Sequence, residues 1–216
     1  MILIHSLYAL VGNRFRARRL HLFQERMAPR AGELLLDVGG AVGFWSNLEA
    51  IDGSRIVLLN VGEIEPPDDP ARFLCVCGNG RGLPFGDSSF SLAFSNSVIE
   101  HVGVFQSQQQ FADEIRRVAP RFWVQTPARE CPVEPHYLAL FVHWLPANVQ
   151  RRVLRWVSVW GWVARPSADD IDSMVRETHL LTGKQFRALF PDCEVITERL
   201  FGIFPKSYIA IRGSAS

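Results

Sequence analysis

The sequence predicts an α/β fold: a doubly wound, mostly parallel seven-stranded sheet with a helical lid inserted late in the chain. Three observations predict it. Short apolar runs alternate with segments of helical periodicity, the pattern of a parallel sheet with right-handed crossovers. The first run, Leu34–Val38, opens into three glycines in five positions, Gly39, Gly40 and Gly43, and then a helix. Polar residues with turn or ligand character stand at the carboxyl ends of the runs: Asp37, Asn60, Asn79 and Ser95. A chain of 216 residues suits one domain, residues 1–216, with an aromatic helical insertion at about 128–167.

Taken in order, residues 14–28 carry Leu20, Phe23 and Met27 at helical spacing, ended by Pro29 and Gly32. Leu34–Val38 is the first strand and Phe44–Ile51 its helix, closed by Asp52-Gly53. Arg55–Val61 is the second strand. Pro66, Pro67 and Pro70 forbid a long helix in the next crossover. Arg72–Cys77 and Ser91–Asn96 are the third and fourth strands. Phe105–Val118 sets Phe111, Ile115 and Val118 on one helical face. Arg121–Thr126 is the fifth strand, stopped by Pro127. After 167, Thr182-Gly183-Lys184-Gln185 has the spacing of a capping box opening a helix to Phe190. Cys193–Leu200 and Lys206–Ile211 close the sheet.

A formal net charge of +1 gives no global pull toward nucleic acid, and no basic stripe is present to supply a local one. The four cysteines lack the clustering of zinc ligands and read as buried free thiols; no metal is expected. Met1–Val11 is apolar with its arginines after it, the reverse of a signal peptide, and too short to span a bilayer. The reading is a cytoplasmic protein, with a surface-lying N-terminal segment still open.

Glycines after the first strand let backbone N–H groups approach a ligand, and the following helix end supplies unpaired donors. In open parallel sheets ligands sit at such carboxyl ends. No G-x-G-x-x-G is present and Asn60, not an acid, ends strand two, which weakens a nicotinamide reading. Two further segments add to the run Leu34-Leu35-Leu36-Asp37-Val38-Gly39 and its glycine turn: Leu83-Pro84-Phe85-Gly86-Asp87-Ser88-Ser89-Phe90 and Ser95-Asn96-Ser97-Val98-Ile99-Glu100-His101-Val102. In order and spacing they resemble the class I S-adenosylmethionine-dependent methyltransferases, of the small-molecule, type 11-like branch. The resemblance covers roughly residues 30–127. It implies a Rossmann-like methyltransferase fold with S-adenosylmethionine as cofactor. It implies that Asp37, with the backbone at Gly39 and Gly43, holds the amino-acid end, and that Asn60 binds the ribose hydroxyls. Asn79 and the backbone at Gly80 would read the adenine, and Ser95 would contact the methionine part. Three positions depart from the commonest pattern: Ala41 replaces the middle glycine, Asn60 an acid and Asn79 an aspartate.

The chemistry needs a nucleophile aligned with an electrophilic methyl group, and a base only where the nucleophile must lose a proton. His101, just past strand four, is the first candidate. Glu134 and His136, stiffened by Pro132 and Pro135, are the others. His143 reads as a packing residue beside Trp144, and Trp45 as a neighbour of the cofactor. Residues 137–163 hold Trp144, Trp156, Trp160 and Trp162, with Val149, Val153, Trp156, Val157 and Trp160 on one helical stripe and arginines elsewhere. That segment reads as a lid over a small, apolar or aromatic methyl acceptor. Contact with an anionic membrane surface and a homodimer through the same segment both stay open. The expected activity is methyl transfer to that acceptor. The alternative is a catalytically silent partner of the same fold that binds another protein through residues 137–163.

Overall fold

In the computed structural model, residues 18–45, 53–62 and 69–213 are described. The expectations for Met1–Val11, for the helix beyond Trp45 and for the crossover at Pro66 and Pro67 lie outside these residues.

A helix, α1, covers 18–27. Strand β1 (Leu34–Val38) leads into a single helical turn, α2 (Val42–Trp45). Then come β2 (Arg55–Asn60), β3 (Phe73–Cys77), β4 (Leu92–Asn96), α3 (Phe105–Val118) and β5 (Phe122–Pro127). A short antiparallel pair, β6 (Val133–Glu134) and β7 (Ala139–Leu140), precedes α4 (Ala147–Val157), α5 (Val159–Ala164), α6 (Ala168–Glu177) and α7 (Gly183–Leu189). Strands β8 (Glu194–Leu200) and β9 (Phe204–Arg212) finish the sheet. Its order is β3-β2-β1-β4-β5-β9-β8, seven strands, with the first five parallel and β9 antiparallel to both β5 and β8.

Strand alternation divides the core into two faces. Leu36 and Val38 join Phe111, Ile115 and Phe186 on one side. Leu35 joins Phe23, Met27, Trp45 and Phe94 on the other. Asp37 shares that second side with Leu35, and this parity buries its carboxylate. Pro127 does not stop β5 but is its last residue, opposite Ser207 of β9. At the end of a strand the missing N–H interrupts nothing. The thiols are all free, but only Cys131 is buried; Cys77 is exposed because β3 is an edge strand.

The aromatic segment departs from the predicted stripe. Helix α4 ends at Val157, because Ser158 turns extended, bonds Leu154 O through Oγ at 2.6 Å and caps α5 by accepting Gly161 N at 2.8 Å. A Cβ at Gly161 would stand 2.4 Å from Arg155 O, so the two helices meet backbone to backbone. Leu154 and Val153 face inward, while Trp156 is left 71% exposed. Helix α6, opened by the box of Ser167 and Asp170, packs on α4 through Ile171 and Met174. None of the described helices is long and apolar enough to cross a membrane.

The predicted capping box is present: Thr182 Oγ1 accepts Gln185 N at 3.3 Å and the Gln185 side chain accepts Thr182 N at 3.0 Å. Thr182→Ala is expected to cost about 1 kcal/mol. That lowers the unfolding temperature by about 2–4 °C in a chain of this size; thermal unfolding followed by circular dichroism checks it.

Candidate active site

Strand order turns at β1, between β2 and β4. At the carboxyl ends there lies a cleft of ≈ 340 Å³, lined among others by Gly39, Asn60, Asn79, Gly80 and His101. Such a switch point is where open α/β sheets bind ligands.

The glycine turn is built for close approach. Gly39 has φ +81°, and its N–H donates to Leu59 O at 2.7 Å. A Cβ on Gly39 would stand 2.3 Å from Val98 Cγ2, and one on Gly40 would stand 1.9 Å from Asp37 Oδ2. Ala41 is not among the residues of positive φ, so the departure from glycine there costs no left-handed strain. Gly43 lies in the single turn of α2. Asn60 Nδ2 donates to Gly40 O at 2.7 Å, tying β2 to the turn. An acid could not make that bond, and the Asn60 oxygen is left to accept from a ligand hydroxyl. Asn79 Oδ1 accepts Arg81 N at 3.0 Å, which aligns the turn and leaves its amide as a donor. Gly80 is buried, and a Cβ there would meet Phe111 Cε2 at 2.7 Å.

Two of the predicted contacts lie below this floor. Asp37 accepts from Trp45 Nε1 at 2.6 Å, and burial pushes its pKa up to about 7, against the lowering effect of that bond. Ser95 Oγ donates to Val38 O at 3.1 Å and is fully buried. Neither lines the cleft. Trp45 is wholly buried against Phe23, Phe44 and Phe94.

At the far end of the cleft, four residues from two loops converge. His101 Nε2 meets His136 Nε2 at 3.0 Å. Glu134 Oε1 meets His136 Nδ1 at 2.5 Å, and Glu134 Oε2 accepts the N–H groups of His136 and Tyr137 at 2.8 and 3.0 Å. Glu100 is fully buried, accepts from Thr126 Oγ1 at 2.9 Å, and has its Oε1 3.9 Å from His136 Nε2. Burial raises the Glu100 pKa to about 7. Burial and then the neighbouring His136 lower that of His101. For His136 burial pulls downward, but the Glu134 carboxylate outweighs it and the net shift is upward. His143 sits tilted against Trp144, and both rings bond Arg129 O.

Residues 36–121 match the methyltransferase domain family. Over those residues the chain is similar to the methyltransferase domain. No curated protein matches the sequence. Several solved structures share the methyltransferase fold. One, from Bordetella parapertussis and described as a possible exported protein, is 13% identical with a TM-score of 0.60, over 94% of this chain and 68% of that one. An O-methyltransferase candidate from Nostoc punctiforme is 10% identical with a TM-score of 0.52, over 92% of this chain and 56% of that one. A methyltransferase dependent on S-adenosylmethionine, from Methanosarcina mazei, is 16% identical with a TM-score of 0.51, over 84% of this chain and 92% of that one. The chain thus spans about two thirds of the first of these structures and little over half of the second.

The cofactor of the methyltransferase class is S-adenosylmethionine, and the cleft has features that suit it. Its floor is bare backbone at Gly39, where a Cβ is excluded, and the Asn60 and Asn79 amides stand at successive strand ends. Sequence reasoning gave no site role to Val98, Glu100, Glu177 and His179. Helix α6 carries Glu177 and leads to His179, whose N–H donates to Glu100 O at 2.7 Å. The Ser167-x-x-Asp170 spacing signals that helix, whereas its docking beside the cleft has no signal in the sequence.

Proposed function

We propose that the chain transfers the methyl group of S-adenosylmethionine to a small acceptor with an apolar or aromatic body. The observation that carries this reading is the cleft at the switch point, with glycine backbone as its floor and His101 at its far end. When bound, the cofactor supplies a methyl group that its sulfonium makes electrophilic. The Gly39 turn and Gly80 admit it closely, Asn60 accepts from its ribose and Asn79 donates to its base. Asp37 and Ser95 act from beneath, by holding Trp45 and the end of β1. Bound there, the cofactor would supply its methyl group to the acceptor and keep the sulfur as a neutral thioether. A hydroxyl acceptor must also give up its proton, and His101 stands where that happens, with His136 and Glu134 positioning it.

A second cleft of ≈ 360 Å³ shares His179 with the first. Phe105, Tyr137 and Leu181 give it apolar walls, and Arg129, Gln150 and Gln185 give it hydrogen-bonding groups. This supports an acceptor that carries polar substituents on its apolar body.

The alternative, a silent partner acting through residues 137–163, is favoured by one observation: Trp144, Trp156 and Trp162 are 47%, 71% and 50% exposed. Calorimetric titration with S-adenosylhomocysteine separates the two. Micromolar binding is expected for the enzyme; no binding at millimolar ligand leaves the silent partner. In the enzyme, His101→Ala is expected to lower turnover at least tenfold and leave S-adenosylhomocysteine affinity unchanged. Unchanged turnover removes His101 from the reaction.

A further inference from the structure

We propose that His101 Nε2, His136 Nε2 and Glu100 Oε1 form a site for a divalent transition-metal cation of the zinc class. These three donor atoms lie within 4.8 Å of one another. The two imidazoles face each other through Nε2 at 3.0 Å. His136 Nδ1 is taken up by Glu134 Oε1 at 2.5 Å, and the backbone of Glu177 lies beside the His101 ring. With both Nδ1 atoms as donors, both Nε2 atoms present lone pairs to one another. A cation between them resolves that opposition. The third donor is an independent observation. Glu100 Oε1 is buried and has no hydrogen-bond partner among the described residues. An unpaired buried carboxylate oxygen is costly, and ligation removes the cost.

The donor chemistry selects the ion. Two imidazoles and one carboxylate are the protein ligands of catalytic zinc sites, with the fourth tetrahedral position open. Magnesium and calcium prefer all-oxygen shells. Imidazole nitrogens about 2.0–2.1 Å from a tetrahedral zinc stand about 3.3 Å apart, close to the spacing found. Glu134 supplies the carboxylate that typically orients a ligating histidine through its second ring nitrogen. Because His101 lines the cleft, the open position faces the acceptor. The part this ion plays in methyl transfer rests on the function proposed above: with the cation bound, His101 Nε2 is a ligand in place of a base, and an acceptor hydroxyl on the cation loses its proton to solvent more readily.

The test titrates the whole chain, stripped by a chelator, with Co²⁺ alone and then Zn²⁺ alone. One equivalent of Co²⁺ is expected to bind with the visible absorption of a four-coordinate site and to be displaced by Zn²⁺. His101→Ala, at an exposed position, and the isosteric Glu100→Gln should each weaken binding at least tenfold, with thermal unfolding confirming that both variants fold. Failure to bind either ion, or binding that survives both substitutions, overturns the site. S-adenosylhomocysteine titration of the metal-free chain reads the function separately. Cofactor binding without metal binding sinks the cation site alone, and metal binding without cofactor binding sinks the methyl-transfer reading alone.

Discussion

Gly39→Val is expected to be the most damaging single change at the cleft. The backbone there has φ +81°, which a β-branched residue scarcely adopts. The first atom of the new side chain would also stand 2.3 Å from Val98 Cγ2. Left-handed strain costs about 1–2 kcal/mol and overpacking about 1–3 kcal/mol. The sum, about 2–5 kcal/mol, is a large part of the stability of an ordinary domain. Loss of cofactor binding in that variant would therefore confuse unfolding with a blocked site. The pair Gly39→Ala and Val98→Ala separates the two effects. Adding Val98→Ala to Gly39→Ala should recover stability by removing the clashing methyls, as a double-mutant cycle of denaturant unfolding would report. Affinity for S-adenosylhomocysteine should stay at least tenfold weaker, because the Cβ still covers the backbone. Wild-type affinity in the double variant would mean that Gly39 does not face the cofactor.

Asp37→Asn is expected to stabilise the protein at neutral and alkaline pH. The Asp37 carboxyl is buried, and its pKa rises from 3.8 to about 7. Between those values the folded chain keeps a proton that the unfolded chain has lost. Stability therefore falls as pH rises through that interval and levels off above about pH 7. The full loss is on the order of 4 kcal/mol. Asparagine has no charge to bury, and its oxygen still accepts from Trp45 Nε1. The variant should unfold at a higher temperature than the wild type at pH 8, and the advantage should vanish toward pH 4. Equal pH profiles for the two proteins would show that Asp37 is not held in an apolar environment. Because Asp37 lies beneath the turn, cofactor affinity should change less than threefold; a tenfold loss would give its carboxylate a direct contact.

The parts of the fold that read clearly from the sequence are those where one local signal suffices. Phe105–Val118 has the predicted bounds, because Phe111, Ile115 and Val118 mark a buried stripe. The capping box at Thr182 declares the start of α7. The strands carry continuous apolar runs, because both faces of the sheet are covered. Helix α6 has a start signal at Ser167-x-x-Asp170 and apolar residues at Ile171, Met174 and Val175, yet no element is predicted there from the sequence. The predicted stripe fails at Trp156 and Val157: α4 ends there, where Ser158 turns extended, and the helix faces Val153 and Leu154 inward, with Trp160 of α5 packed on the same cluster.

The candidate site divides in the same way. The glycines, Asn60 and Asn79 stand at strand ends, and a parallel sheet brings all strand ends to one edge. Their order along the chain therefore determined their gathering at one cleft. The direction of Asp37 was decided by parity on β1, which turns it toward Trp45 and away from the cleft. The meeting of His101 with His136, the burial of Glu100 and the approach of His179 were decided by how α6 and the loop after β5 pack over the sheet. Those contacts join residues distant in the chain, and no local periodicity encodes them. By itself the sequence determined the sheet, the gathering of Gly39, Asn60 and Asn79 at its carboxyl edge, and the match of residues 36–121 to the methyltransferase domain family. Only the tertiary structure decided which carboxylates and imidazoles share the far end of the cleft, because that depends on the balance of packing between elements that each look ordinary alone.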